Sequence, residues 1–139
     1  MELQQMVKDV LANVQYVNKL ADYVPGKPLM LECFATWCPP CRAAIPHLAQ
    51  MTKEYPGVYI ISLSREEAAK VEKLKAGLAP MRFYNVGVET TGALQSLMDA
   101  QGVEGIPHAF IFDASGKLVF SGHPRDAECE ETLQALNVE

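Results

Sequence analysis

Cysteine is scarce in this chain. Four cysteines among 139 residues are too few for a disulfide-built scaffold, so a fold must rest on an apolar core. Long apolar runs are missing as well, and no stretch is long and apolar enough to cross a bilayer as a helix. The start, MELQQMVKDV, carries Glu2 and Asp9 and lacks the apolar centre of a secretion signal. From this polar start we expect a cytoplasmic protein with no membrane partner. Positive charge is short too. Twelve Lys and Arg stand against 17 Asp and Glu, for a formal net charge of −5, which argues against a nucleic-acid surface. The acids Asp126, Glu128, Glu130 and Glu131 gather near the end with only Arg125 against them, and read as a solvated helix face. There is no internal repeat, low-complexity tract or linker. The length and the 49% hydrophobic content suit one domain over 1–139.

The apolar residues that are present are patterned. Leu3, Met6, Val7, Val10, Leu11, Val14 and Val17 recur at helical spacing, predicting an N-terminal helix over residues 1–24, stopped by Pro25-Gly26. The core then runs over 28–139. PLMLECFA reads as a strand, and Ile45, Leu48, Ala49, Thr52 and Tyr55 return to helical spacing. VYIISLS is β-branched and aromatic, as a buried strand should be. REEAAKVEKLKAGL predicts a charged helix with pairs such as Glu66 and Lys70. MRFYNVGVE predicts a further strand and TGALQSLMDAQGV a short helix. HAFIFD and LVFSGH flank a turn containing Ser115-Gly116, a hairpin pattern. A helix from about Asp126 to Leu136 closes the chain. Early alternation of strand and helix needs parallel strands with helical crossovers. The fold class is therefore α/β: a central mixed sheet with helices on both faces, a C-terminal hairpin and a final helix.

Within FATWCPPCR, Cys38 and Cys41 stand at a strand-to-helix junction. Unpaired backbone N–H groups and the positive end of the helix dipole favour a thiolate at Cys38. Cys41 lies about one turn further in, placed to resolve a mixed disulfide formed by Cys38. Pro39 and Pro40 lack N–H donors and have the φ of a helix start. Trp37 either forms an apolar lip beside the site or packs as an ordinary core aromatic. A zinc site would want a second close ligand pair, which Cys33, Cys129, His47, His108 and His123 do not make. A permanent staple over so short a loop would remove little chain entropy. A reversible thiol pair is the reading the pattern favours.

At this point the chain resembles the thioredoxin superfamily, and within it the TlpA-like and tryparedoxin-like proteins, over about Leu29 to Leu136. The resemblance rests on W-C-P-P-C followed by Arg42, on Pro46 inside the next helix, on Glu32 six residues before Cys38, and on Gly105-Ile106-Pro107 before the hairpin. It implies a thioredoxin-like fold with a cis bond at Ile106-Pro107 facing the thiols. It implies that Glu32 is a buried acid able to exchange a proton with Cys41. The alternative is a carboxylate turned to solvent at the strand edge. It also implies that Trp37, Pro39, Pro40, Ile106 and Pro107 contact substrate. His108, next to that proline, either joins them and tunes the thiols or simply packs at a strand end. Cys33 and Cys129 read as small packing residues, with Cys129 a regulatory thiol if exposed.

The function expected is reduction of protein disulfides through Cys38 and Cys41, with oxidised proteins and an upstream thiol reductant as partners. No cofactor or metal is called for, and the chain is expected to be a monomer. A disulfide oxidase or isomerase would usually carry a histidine between the cysteines. A peroxidase would have threonine and proline where Ala35 and Leu31 stand. A binding module on the same scaffold would have lost a thiol. The segment 65–103, between the second strand and the expected cis-proline, is longer than a minimal thioredoxin needs.

Overall fold

Leu29–Cys33 is buried at every position, as expected of a central strand covered on both faces. The computed structural model describes residues 1–138. In chain order the elements are α1 (Leu3–Ala12), β1 (Gln15–Asn18), β2 (Leu29–Cys33), α2 (Pro39–Glu54), β3 (Tyr59–Ser64) and α3 (Ala68–Ala76). A 3-10 helix (Ala79–Phe83), β4 (Asn85–Val88), α4 (Ala93–Ala100), β5 (His108–Phe112), β6 (Leu118–Gly122) and α5 (Ala127–Leu136) follow. The sheet order is β1-β4-β3-β2-β5-β6. β2, β3 and β4 are parallel neighbours. β5 is antiparallel to β2 and β6 to β5.

Alternation along the strands divides the core in two. Leu29, Leu31 and Cys33 join Ile61, Leu63, Phe110 and Phe112 under α1 and α4. Met30 joins Ile60, Val86, Ile111 and Phe120 under α2, α3 and α5, with Ile45, Leu48, Val71 and Leu133 packed against them. The mixed sheet, the hairpin and the covered faces agree with the expected class, and the fold is thioredoxin-like.

The helix expected over residues 1–24 is corrected. α1 ends at Ala12, and Gln15–Asn18 forms a sixth strand, β1, antiparallel to β4. Val14 and Val17 extend the helical spacing, but a separation of three puts residues on opposite faces of a strand. Val14 packs toward α1 and α4, and Val17 lies on the other face, where α3 contacts β1. The strand expected over MRFYNVGVE is also shorter, because Ala79–Phe83 is a 3-10 helix and only Asn85–Val88 pairs. Pro46 lies inside α2, which continues through it to Glu54.

Candidate active site

The parallel strands β2 and β3 both end beside the start of α2, where an open α/β sheet leaves room for a site. Cys38 is the N-cap of α2, in extended conformation, and Pro39 and Pro40 follow as its opening residues. The prolines have no N–H to leave unpaired there. The Cys41 backbone N–H donates to Cys38 Sγ at 3.3 Å. Cys38 and Cys41 are joined as a disulfide, with Cα atoms 5.2 Å apart. Cys41 is wholly buried and Cys38 is 4% exposed, so access to the leading sulfur is narrower than a helix mouth alone implies. Trp37 is 66% exposed and is the lip of the site, not a core aromatic.

The facing wall comes from the turn before β5. Ile106-Pro107 is a cis bond, as the resemblance implies, and the Ile106 carbonyl oxygen lies 3.6 Å from Cys38 Sγ. A cleft of about 390 Å³ runs here, lined by Trp37, Cys38, Pro39, Pro40 and Ile106. Arg65, Gln95, Met98, Val103 and Glu104 form its far side. These five belong to or adjoin the segment 65–103, and sequence reasoning did not assign them to the site. The signal was available for Arg65, which directly follows the C-terminal end of a buried parallel strand.

Glu32 is fully buried, which rules out the solvent-facing alternative. By the alternation of β2 it shares the face of Met30, whose cluster includes Cys38 and Cys41. Burial lifts its pKa to about 8, with the nearby Ser62 hydroxyl acting the other way. The buried Tyr84 and Cys129 are each pushed up first by desolvation and also by the Glu32 charge, so all three share one apolar layer.

His108 is not among the residues lining the cleft. Its Nε2 lies 2.8 Å from Ser121 Oγ on β6, and its ring packs edge-on against Phe110. Burial and then the neighbouring His123 lower its pKa. Cys33 and Cys129 are free and buried. Burial pushes the Cys33 thiol up, and that of Cys129 up to about 12, which suits packing rather than reactivity.

The chain is similar to known proteins. The AhpC/TSA family matches residues 4–121. The thiol:disulfide interchange protein DsbE of Haemophilus influenzae is 34% identical over 131 residues, spanning 92% of this chain and 68% of that protein. The thiol-disulfide oxidoreductase ResA of Bacillus thuringiensis subsp. konkukian is 27% identical, spanning 80% of this chain and 64% of that protein. The chain thus spans about two thirds of the length of these relatives. Among solved structures, a secreted Mycobacterium tuberculosis disulfide oxidoreductase homologous to E. coli DsbE superposes with a TM-score of 0.62 at 22% identity, covering 80% of this chain and 83% of that one. These likenesses overturn the cytoplasmic expectation; the Mycobacterium tuberculosis protein among them is a secreted one. That expectation rested on the polarity of one segment, which does not decide the compartment where a fold operates. Of the two likenesses within the superfamily, the TlpA-like one is carried by these relatives and the tryparedoxin-like one is not. The chain belongs to the AhpC/TSA family of thioredoxin-like proteins, in the group of the DsbE- and ResA-type thiol-disulfide oxidoreductases.

Proposed function

We propose that the chain reduces disulfides in oxidised proteins, with Cys38 as nucleophile and Cys41 as resolving thiol. The observation that carries this reading is the Cys41 N–H aimed at Cys38 Sγ from 3.3 Å at the mouth of α2. In the reduced pair that donor and the helix dipole favour a sulfur anion at Cys38. The thiolate attacks one sulfur of the substrate disulfide; the other leaves as a thiolate and takes a proton. A mixed disulfide on Cys38 results. Cys41, once deprotonated, attacks Cys38 Sγ, releases the second substrate thiol and closes the Cys38–Cys41 bond. Two electrons have passed to the client, and an upstream thiol reductant restores the pair. No further cofactor enters this cycle.

Glu32 fits the proton step. Held near 8 by burial, it is able both to take the Cys41 proton and to return it within reach of neutral pH. Trp37, Pro39, Pro40, Ile106 and Pro107 make the contact surface for the client backbone, with the cleft receiving the residues beside its cystine. His108 is left with a packing role at the start of β5, and the chain acts as a monomer. The absence of a charged residue between the cysteines supports the reducing direction, because nothing there adds to the stability of the thiolate form.

The test is reduction of insulin with a dithiol donor. The wild type should turn over and Cys38→Ser should not; full activity in Cys38→Ser overturns the reading. Equilibration with glutathione tests the direction, and a pair more oxidising than glutathione would reverse it.

A further inference from the structure

Thr36, two residues before Cys38, is held from both sides. Glu66 follows β3, and its carboxylate takes the Thr36 backbone N–H on Oε1 at 2.8 Å and the Thr36 hydroxyl on Oε2 at 2.7 Å. Ser64 Oγ donates to the same Oε1 at 2.8 Å and accepts the Glu66 N–H at 3.0 Å. From the first turn of α2, Arg42 Nη1 donates to the Thr36 carbonyl at 2.7 Å. Both peptide bonds flanking Thr36 are thereby tied, one to the end of β3 and one to α2. Glu66 is not among the residues lining the cleft, and its hydrogen bonds run to Thr36 and Ser64 rather than to either sulfur.

We propose that Glu66 is a positioning residue for thiol exchange: it clamps the Thr36 peptide so that Cys38 stays at the N-cap of α2, under the Cys41 N–H. The inference rests on the reading of Cys38 as nucleophile. A loop of this length would otherwise sample many φ/ψ states, and each displaces the sulfur from its donor. The geometry uses three donors on one carboxylate, the strong kind of hydrogen bond. Burial opposes the charge on Glu66, but bonds from Thr36 and Ser64, with Lys70 nearby, hold its pKa below the usual carboxylate range. It therefore stays an acceptor at neutral pH.

The clamp is tested on the reduced protein by iodoacetamide alkylation of Cys38 at neutral pH, followed by peptide mass, beside dithiol-driven insulin reduction. Glu66→Ala should slow alkylation about tenfold, the size of losing a hydrogen bond to a charged group. Glu66→Gln keeps an oxygen for the Thr36 N–H and an amide N–H for its hydroxyl oxygen, so it should stay within about twofold of wild type. A glutamate that serves only general stability would not show this rescue. Wild-type alkylation in Glu66→Ala, or Glu66→Gln as slow as Glu66→Ala, overturns the clamp. Should Glu66→Ala fail to fold, Thr36→Val decides: a drop of about threefold supports the clamp, and an unchanged rate overturns it. A wild type that obeys this ordering yet leaves insulin intact supports the clamp and sinks the reductase reading instead.

Discussion

Glu32 and Ser62 are register partners on the adjoining strands β2 and β3, and among the described residues neither side chain has a hydrogen-bond partner for its oxygens. A buried carboxylate with no donor is costly to ionise, so the proton is held to higher pH. The same isolation that makes Glu32 expensive for the fold is what the proposed proton transfer with Cys41 relies on.

Removing that charge should therefore stabilise the protein in alkali. Below the ordinary value of 4.5 both folded and unfolded chains keep the Glu32 proton. Between that value and about 8 the unfolded chain releases it first, so stability falls as pH rises, and the fall ends above the folded value. At about 1.4 kcal/mol per unit the total is several kcal/mol. Glu32→Gln should flatten this arm and slow exchange, measured by denaturant unfolding across pH and by insulin turnover. Parallel stability curves for the two proteins would show that Glu32 is not the titrating group.

Glu89 behaves in the opposite sense. It is 1% exposed and accepts N–H bonds from Thr91 at 2.9 Å and Leu94 at 2.8 Å, besides the Thr91 hydroxyl. Burial opposes its charge, but these bonds hold its pKa below the usual range. Its contribution is present above the ordinary carboxylate value and is lost as pH falls through the folded one. Glu89→Gln should cost about 1–3 kcal/mol at neutral pH and progressively less in acid. Because α4 supplies Gln95 and Met98 to the cleft, the variant should also bind client more weakly. A penalty independent of pH would contradict the assignment.

Gly87 lets β1 lie close against β4. A Cβ there would stand 2.8 Å from the Gln15 carbonyl oxygen and 2.9 Å from Val14 Cγ1. Gly87→Ala should cost about 1–3 kcal/mol and speed hydrogen exchange at Gln15–Asn18, with Cys38 alkylation unaltered. Unchanged exchange along β1 would mean that the pairing tolerates the methyl group.

On the proposed cycle, Cys41→Ser removes the resolving sulfur and leaves the attack by Cys38 intact. The mixed disulfide should accumulate and identify the client by mass. Rapid turnover in this variant would mean that external thiols, and not Cys41, complete the cycle.

Much of the site was legible along the chain because its parts are local. The thiol pair at a helix start, the prolines after Cys38 and the turn before β5 are matters of φ, missing N–H groups and short spacing. Apolar runs bounded by Gly and Pro marked β2, β3 and the hairpin for the same reason. β1 was not legible, since Val14 and Val17 satisfy helical spacing equally well. Its extended form depends on β4, whose Gly87 pairs with Tyr16 from a distant part of the sequence.

The sequence alone marked the candidate atoms: a sulfur pair at the entrance of α2 by its spacing, and, through the family resemblance, a carboxyl on the strand that leads to it and a proline expected to face them. The tertiary structure decided what surrounds those atoms. Only packing buried Glu32 and shielded Cys38, turned His108 toward Ser121, brought Arg65 and Gln95 to the cleft and set Glu66 against Thr36. Burial and long-range hydrogen bonds arise between segments that meet only in the folded chain, and a pattern of neighbouring residues cannot encode how far each group is taken from water.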